Sequence, residues 1–359
     1  MDASPTPGPA SLLIPGALLR DAASRGQRGE QRAAQQPWAS LARRARVSSH
    51  DVHSEAAQRE GAHERWLRAR LGLPPDAAVA AASAWFDGCP DASWRLDPVH
   101  LHVGLDHLVL TDPDALHMTT DESHALAEAI RPLLSEESLA LDTPLPHRWY
   151  LREIEPGRPL ELHTRSLWVA NGRSVEAYLP QGDDARRWRR LVNEVQMTWF
   201  AHPVNRAREE RGLPTVNSLW IEGRCPPASA TVASLGRFAA LRGTGLRDVV
   251  RIEAPGAALL VAGHLLHAQD EDEPEASGDA WRALNDGPLS AVARADPPFE
   301  RGAQLVLTGD AGWRELAVRR SDRWCFWRRQ EPAALLHEPE PSPTGSAGAS
   351  RAAVAGVRA

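Results

Sequence analysis

The chain has no lysine: all 41 of its basic residues are arginine. With its abundance of alanine and proline this reads as a coding bias, so it points to no function. Cysteine is nearly absent, and Cys89, Cys225 and Cys325 show neither metal-type spacing nor the even count of a disulfide framework, which suits a reducing, cytoplasmic setting. Long hydrophobic runs are missing too. Nothing approaches the roughly 20 apolar residues of a membrane helix, and the opening MDASPTPGPA has no basic segment before an apolar one, so a signal peptide is not expected. A formal net charge of -6 argues against a general nucleic-acid binder. The 2 tyrosines and 5 phenylalanines stand against 13 tryptophans, which are expected in the core or as interface plugs. The 359 residues are enough to bury a sizeable core and predict two structural units.

The most specific stretch is 193–220, NEVQMTWFAHPVNRAREERGLPTVNSLW. Leu191, Val195, Trp199 and Phe200 recur at helical spacing, which predicts one core-facing stripe. Pro203 lacks the donor that a helix interior requires and disfavours helix at His202, so the helix breaks there. A second, short helix carries Asn205, Arg206 and Arg208 to a stop at Gly212, and 216–221 reads as a buried strand. This order gathers His202, Asn205, Arg206, Arg208 and Asn217 around one corner. Two readings of them stay open at even weight. They form either a binding site for a phosphate or carboxylate, for which arginine offers planar paired donors, or a buried polar lock with every group satisfied.

The strings N-E-x-Q-M, H-P-V-N-x-A-R-E-x-R-G and V-N-S-L-W resemble the archaeal type of cofactor-independent phosphoglycerate mutase, a branch of the alkaline-phosphatase superfamily. They look closer still to a bacterial group of mutase-related proteins labelled regulatory proteins of the RpfE type. The resemblance extends over about 85–257: two strands in 94–110 followed by a helix after Thr119-Thr120, and later the succession LRGTGLRDVVRIEAPGA at 241–257. It implies an α/β, alkaline-phosphatase-like core, trimmed relative to that family, at 11–84 and 185–338. An α+β substrate-type subdomain is inserted at 85–184, and disordered ends are expected at 1–10 and 339–359.

The same resemblance implies a two-metal site, and the matching positions depart from it. The first strand, 11–19, runs into Pro15-Gly16 where an aspartate is expected. In the string LVLTGD, Asp310 is followed by Ala311 and not by histidine. Residues 259–279 read as an amphipathic helix; His264, His267 and Asp270, three apart, do not share one face of it. No nucleophile is traceable at Ser40, Ser48 or Ser49. Other metal-like groupings, His50, Asp51, His53 and Glu55, and His100 and His102 with Asp97 or Asp106, read as chance or as polar partners on an open sheet face. The remaining expectations are a helix or loose arm over 21–47 and strands at 149–154 and 161–169 around Gly157. A hairpin is expected at 304–318, with a third strand at 323–328.

The sequence therefore predicts a phosphoglycerate-mutase-like protein without catalytic residues. It is expected to need no cofactor and to bind a phosphorylated or carboxylate metabolite or a protein partner in a regulatory role. The alternative is an active metal-dependent mutase or phosphatase with relocated ligands, holding Mn or Zn.

Overall fold

A computed structural model describes residues 9–19, 27–52, 59–104, 107–111, 116–155, 159–171, 173–227, 229, 232, 235, 249–252, 254, 257–265, 274–324 and 330–338. In chain order the strands are β1 (Ala10–Ile14), β2 (Arg46–Val52), β3 (Trp94–Val103), β4 (Leu108–Thr111), β5 (Leu139–Leu145), β6 (Arg148–Glu153), β7 (Ser218–Arg224), β8 (Val249–Ile252), β9 (Leu259–Ala262), β10 (Ala303–Thr308) and β11 (Gly312–Val318). The helices are α1 (Gln27–Ala34), α2 (Trp38–Arg44), α3 (Ala62–Leu71), α4 (Ser83–Phe86), α5 (Thr120–Glu136), α6 (Leu167–Ala170), α7 (Ala185–Phe200), α8 (Pro203–Glu210), α9 (Pro274–Leu284) and α10 (Ser290–Arg294).

Among the described residues these strands form two sheets, and the mixed α/β class expected from the sequence is what the chain adopts. The first sheet has the order β2-β11-β10-β1-β9-β8, with β1 parallel to both β10 and β9 and antiparallel strands outside them. Strand β1 is buried throughout because both faces of this sheet are covered. Its alternation sends Leu12 and Ile14 to a cluster with Trp38 and Trp281, and Leu13 to the opposite cluster with Trp66 and Leu67.

The second sheet has the order β4-β3-β6-β5, and β7 pairs with β3. Helices α5 and α7 cover it: Leu126, Ile130 and Leu134 of α5 meet Leu191, Val195 and Trp199 of α7 over Trp149 and Leu151. Local chemistry fixes the starts of α5 and α8. The Thr119 side chain accepts from the Glu122 N–H while the Glu122 carboxylate accepts from the Thr119 N–H, the reciprocal box that the T-T-D-E text announces. Pro203 opens α8 where its missing N–H costs nothing, and His202 Nδ1 accepts from the Val204 N–H.

Several expectations are corrected. Strand β7 joins the second sheet, so 185–224 packs with the strands of 94–153, not with the core to which 185–338 was assigned. Of 21–47, residues 21–26 lie outside the described residues and 27–44 hold the helices α1 and α2, but 46 begins β2, a strand the text concealed because RVSSHDV is an exposed sheet edge with no apolar alternation. The strand expected at 149–154 is β6, which pairs with β5; 157 and 158 of the expected turn lie outside the described residues, and 161–169 contributes an isolated bridge between His163 and Gln181 before α6. Pro144 hid β5, yet β5 lies at the sheet edge, where a missing N–H breaks no ladder. Residues 259–262 are a buried strand, not a helix, because LLVA sits beside β1 inside the first sheet. Finally, Arg320–Trp324 is a 3-10 turn; 325–329 lie outside the described residues, as do 1–8 and 339–359.

Candidate functional site

In open α/β sheets ligands gather at the carboxyl ends of the parallel strands. Here β1 ends at Pro15-Gly16, with Ala17 and Leu18 buried beyond it. Strand β9 ends at Gly263-His264, with His264 half-buried, and β10 ends at the fully buried Thr308 followed by Gly309-Asp310. The Asp310 carboxylate accepts from the Arg173 guanidinium at 3.4 Å. A strap from the C-terminal part of the chain lies against Leu19 and the end of β10. The Leu19 N–H donates to Leu336 O at 2.7 Å, the Glu338 N–H to Leu19 O at 3.2 Å, and the Ala311 N–H to Glu338 Oε1 at 2.8 Å. The strap lies so close that a Cβ at Gly309 would stand 2.2 Å from Glu338 Oε1.

Among the described residues this strand end does not fit a two-metal centre. Such a centre holds its ions about 3.5–4 Å apart within carboxylates and imidazoles from several strand ends. Among the described residues no group of three or more His, Cys, Asp or Glu is placed to hold a metal ion. His53, Glu55, Asp106, His267 and Asp270, each weighed as a ligand from the sequence, lie outside the described residues; His50 and Asp51 sit on the edge strand β2. Asp97 is committed elsewhere, paired with the Arg95 guanidinium at 3.1 Å.

Of the five residues expected around the His202 corner, Asn205 and Arg208 are buried, His202 and Asn217 half-buried and Arg206 exposed. Asn205 Nδ2 donates to Trp199 O at 2.9 Å and Val216 O at 2.8 Å, and its Oδ1 accepts from the Val216 N–H at 2.9 Å. One amide thus ties the end of α7 to the approach to β7. The fully buried Arg208 donates to Pro214 O and Glu122 Oε2, both at 2.8 Å, and to Leu116 O. Asn217 Oδ1 accepts from the Leu101 N–H and its Nδ2 donates to Leu101 O, each at 2.8 Å, so a side chain continues the β3–β7 ladder by one rung. His202 and Arg206 lie at the surface side of the corner; burial and the Arg206 charge hold the His202 imidazole below its ordinary pKa.

A second feature escaped the sequence reading. A cavity of about 350 Å3 opens between the two sheets, lined by Arg59, Glu60, Glu64 and Arg68 beside α3 and by His163, Thr164, Glu222 and Arg224 from the second sheet's side. Its carboxylates are anchored: Glu64 Oε2 accepts from the Gly61 N–H at 2.8 Å, Glu222 Oε2 from the Leu167 N–H at 2.8 Å, and Glu60 Oε2 from Arg68 at 2.9 Å. Arg224 lies over the Trp94 ring at 4.6 Å and donates to Leu160 O and Glu153 Oε1. These groups come from three separate segments, 59–68, 163–164 and 222–224, and no spacing in the text announces them. Burial, reinforced by Glu64, outweighs the Arg68 ion pair and pushes Glu60 up to about 7 from 4.5. The folded state therefore keeps a proton that the unfolded chain releases, and stability should fall as pH rises from about 4.5 to about 7, then level off. The full shift is worth about 3 kcal/mol. Glu60→Gln should flatten that slope in denaturant midpoints measured from pH 4 to 8; an unchanged slope would contradict the assignment.

Searches of known proteins find relatives. No protein-family profile matches the chain. It is 27% identical over 178 residues to a probable 2,3-bisphosphoglycerate-independent phosphoglycerate mutase of Geobacter sulfurreducens, covering 46% of this chain and 44% of that one. It is 27% identical over 140 residues to the enzyme so named from Methanosarcina mazei, covering 38% and 34%. The chain thus spans less than half the length of the curated relatives it matches. Among solved structures, a cofactor-independent phosphoglycerate mutase from Thermoplasma acidophilum aligns over 92% of this chain and 98% of its own at 14% identity and a TM-score of 0.34. A Pyrococcus horikoshii protein aligns over 91% and 92% at 11% identity and 0.41, and neither likeness is close enough to carry an argument. The chain is related to the cofactor-independent phosphoglycerate mutases. That relationship corrects the expectation that no cofactor is involved, because the mutase family depends on Mn2+ despite its name. The expectation had rested on residues missing from strand ends, and residues lost from one place do not establish that an ancestral requirement is gone.

Proposed function

We propose that this mutase-like protein has given up phosphoglycerate turnover and acts by binding an anionic metabolite in a regulatory role, as a relative of alkaline-phosphatase-like descent and of the RpfE type. The observation that carries this reading is the closed strand end. Pro15-Gly16 stands where a ligand would project, Asp310 is paired with Arg173, and the Glu338 strap bonds across Gly309 and Ala311. A substrate cannot approach backbone that the chain itself covers.

Asn205, Arg208 and Asn217 act in this proposal as the lock and not as the ligand site. Their donors and acceptors are spent on Trp199, Val216, Pro214, Leu116 and Leu101 backbone and on Glu122. His202 and Arg206 remain at the surface, where a protein partner is the other occupant to consider. The metabolite is assigned to the inter-sheet cavity, whose volume falls in the range of small-molecule sites. Arg59, Arg68 and Arg224 supply cationic donors for phosphate or carboxylate. Glu60, half-protonated near neutrality, and the Thr164 hydroxyl suit the hydroxyl groups of a phosphorylated hydroxy acid.

Calorimetric titration with 3-phosphoglycerate and a panel of phosphorylated carboxylates tests the assignment. Saturable binding that Arg68→Ala weakens at least about tenfold, the loss of one charge-assisted contact, is the expected result. Binding untouched by Arg68→Ala and Arg59→Ala but lost in Arg206→Ala would return the site to the His202 corner.

A further inference from the structure

The hairpin of β3 and β4 presents three histidines on one face. Its register pairs His100 with Thr111 and His102 with Val109, and the Gly104 N–H donates to His107 O, which sets His107 opposite Gly104. Cross-strand partners share a face, as do residues two apart on one strand, so His100, His102 and His107 project to the same side. The absent side chain of Gly104 leaves room there: a Cβ would lie 3.5 Å from Val109 Cγ2 and 3.7 Å from His107 Nε2. The His107 ring therefore lies over Gly104, next in line to His102. The rings of His100 and His102 are already near parallel, at 13° with centroids 6.3 Å apart.

The tautomer of His100 is prepared as well. His100 Nδ1 lies 2.7 Å from Thr215 O, and a carbonyl oxygen only accepts, so Nδ1 holds the ring proton and Nε2 carries the lone pair. His102 Nδ1 bonds the Thr111 hydroxyl at 3.1 Å. His100 is held as a metal-binding imidazole usually is, with one nitrogen fixed by an oxygen partner and the other left as the ligand.

We propose that this hairpin face binds a divalent transition ion of the zinc, nickel or copper class, with His100 and His102 chelating through Nε2, His107 completing a three-imidazole set, and water filling the remaining positions. An all-imidazole set selects these ions over magnesium or calcium, which prefer oxygen. The three rings do not yet converge to coordinating reach. Closure takes rotation of the exposed His102 ring and the half-buried His107 ring, a fast motion for surface side chains. Arg208 contributes a positive field at His100, and Glu122, bonded to that guanidinium, offsets it. The site lies on the second sheet, whose β4 bridges Asn171 and Ser174 on either side of the Arg173 that pairs with Asp310, and does not depend on the reading of the inter-sheet cavity.

The test is calorimetry of the full chain, freed of metal by chelator, with nickel, zinc and magnesium chlorides. One nickel or zinc ion per chain with no magnesium uptake is expected. His102→Ala and His107→Ala should each weaken nickel binding at least about tenfold, the scale on which losing a supporting group acts. His102 is exposed and His107 half-buried, and unchanged melting curves of each variant will show that the fold survives. Nickel binding that is absent in the unaltered chain, or equally tight in the double variant, overturns the proposal.

Discussion

Arg208→Ala should destabilise the protein by about 3–5 kcal/mol, the cost of removing one partner from a buried charge pair. Arg208 is fully buried, and its guanidinium serves Glu122, Pro214 O and Leu116 O together. Alanine would strand the buried Leu116 carbonyl and the part-buried Pro214 carbonyl and leave Glu122 with Arg211 as its remaining arginine. Because Glu122 also caps α5 through the Thr119 N–H, the loss should spread from α8 to the start of α5. Denaturant midpoints measure the loss, and amide exchange should show α5 and α8 opening together. A drop under about 1 kcal/mol, typical of a surface site, would sink the lock reading and favour a ligand role.

Asp87→Ala should cost a comparable 3–5 kcal/mol or so for the same reason. Asp87 accepts from Arg148 Nε and Nη2, each at 2.9 Å, and from the Tyr150 hydroxyl at 2.6 Å, with side-chain exposures of 3% for Asp87 and 5% for Arg148. Burial raises the Tyr150 pKa, so the phenol stays protonated and donates at all physiological pH values. Removing the acceptor leaves a cation and a phenol buried together. Arg148→Ala in the same background should add far less than it costs alone, and a double-mutant cycle reads that coupling directly. Simple additivity would show that the two residues do not act as a pair.

These two networks differ in how visible they were beforehand. The Arg208 corner was legible because its signals are local: Pro203 and Gly212 punctuate the helices, and Thr119-x-x-Glu122 writes its own cap. Burial was not legible, so lock and ligand site could not be separated until Asn205 and Arg208 were found bonded to backbone. The Asp87 network and the inter-sheet cavity left no trace, since Asp87, Arg148 and Tyr150, like Glu60 and Glu222, meet only through tertiary packing. The missed strands share a cause. β2 and β5 are sheet edges that need neither apolar alternation nor a complete set of N–H donors, while β9 is a short continuous apolar run whose period cannot tell helix from strand. The resemblance carried by 193–220 fared better, because long specific strings report ancestry without reporting geometry.

The central claim is that the mutase framework persists here without mutase turnover. Phosphorus NMR of the purified full chain with 3-phosphoglycerate and saturating Mn2+ addresses it most directly, following the 2-phosphoglycerate signal with and without EDTA. The spectrum should stay unchanged over many hours; a growing 2-phosphoglycerate signal that EDTA abolishes and Mn2+ restores would contradict the account.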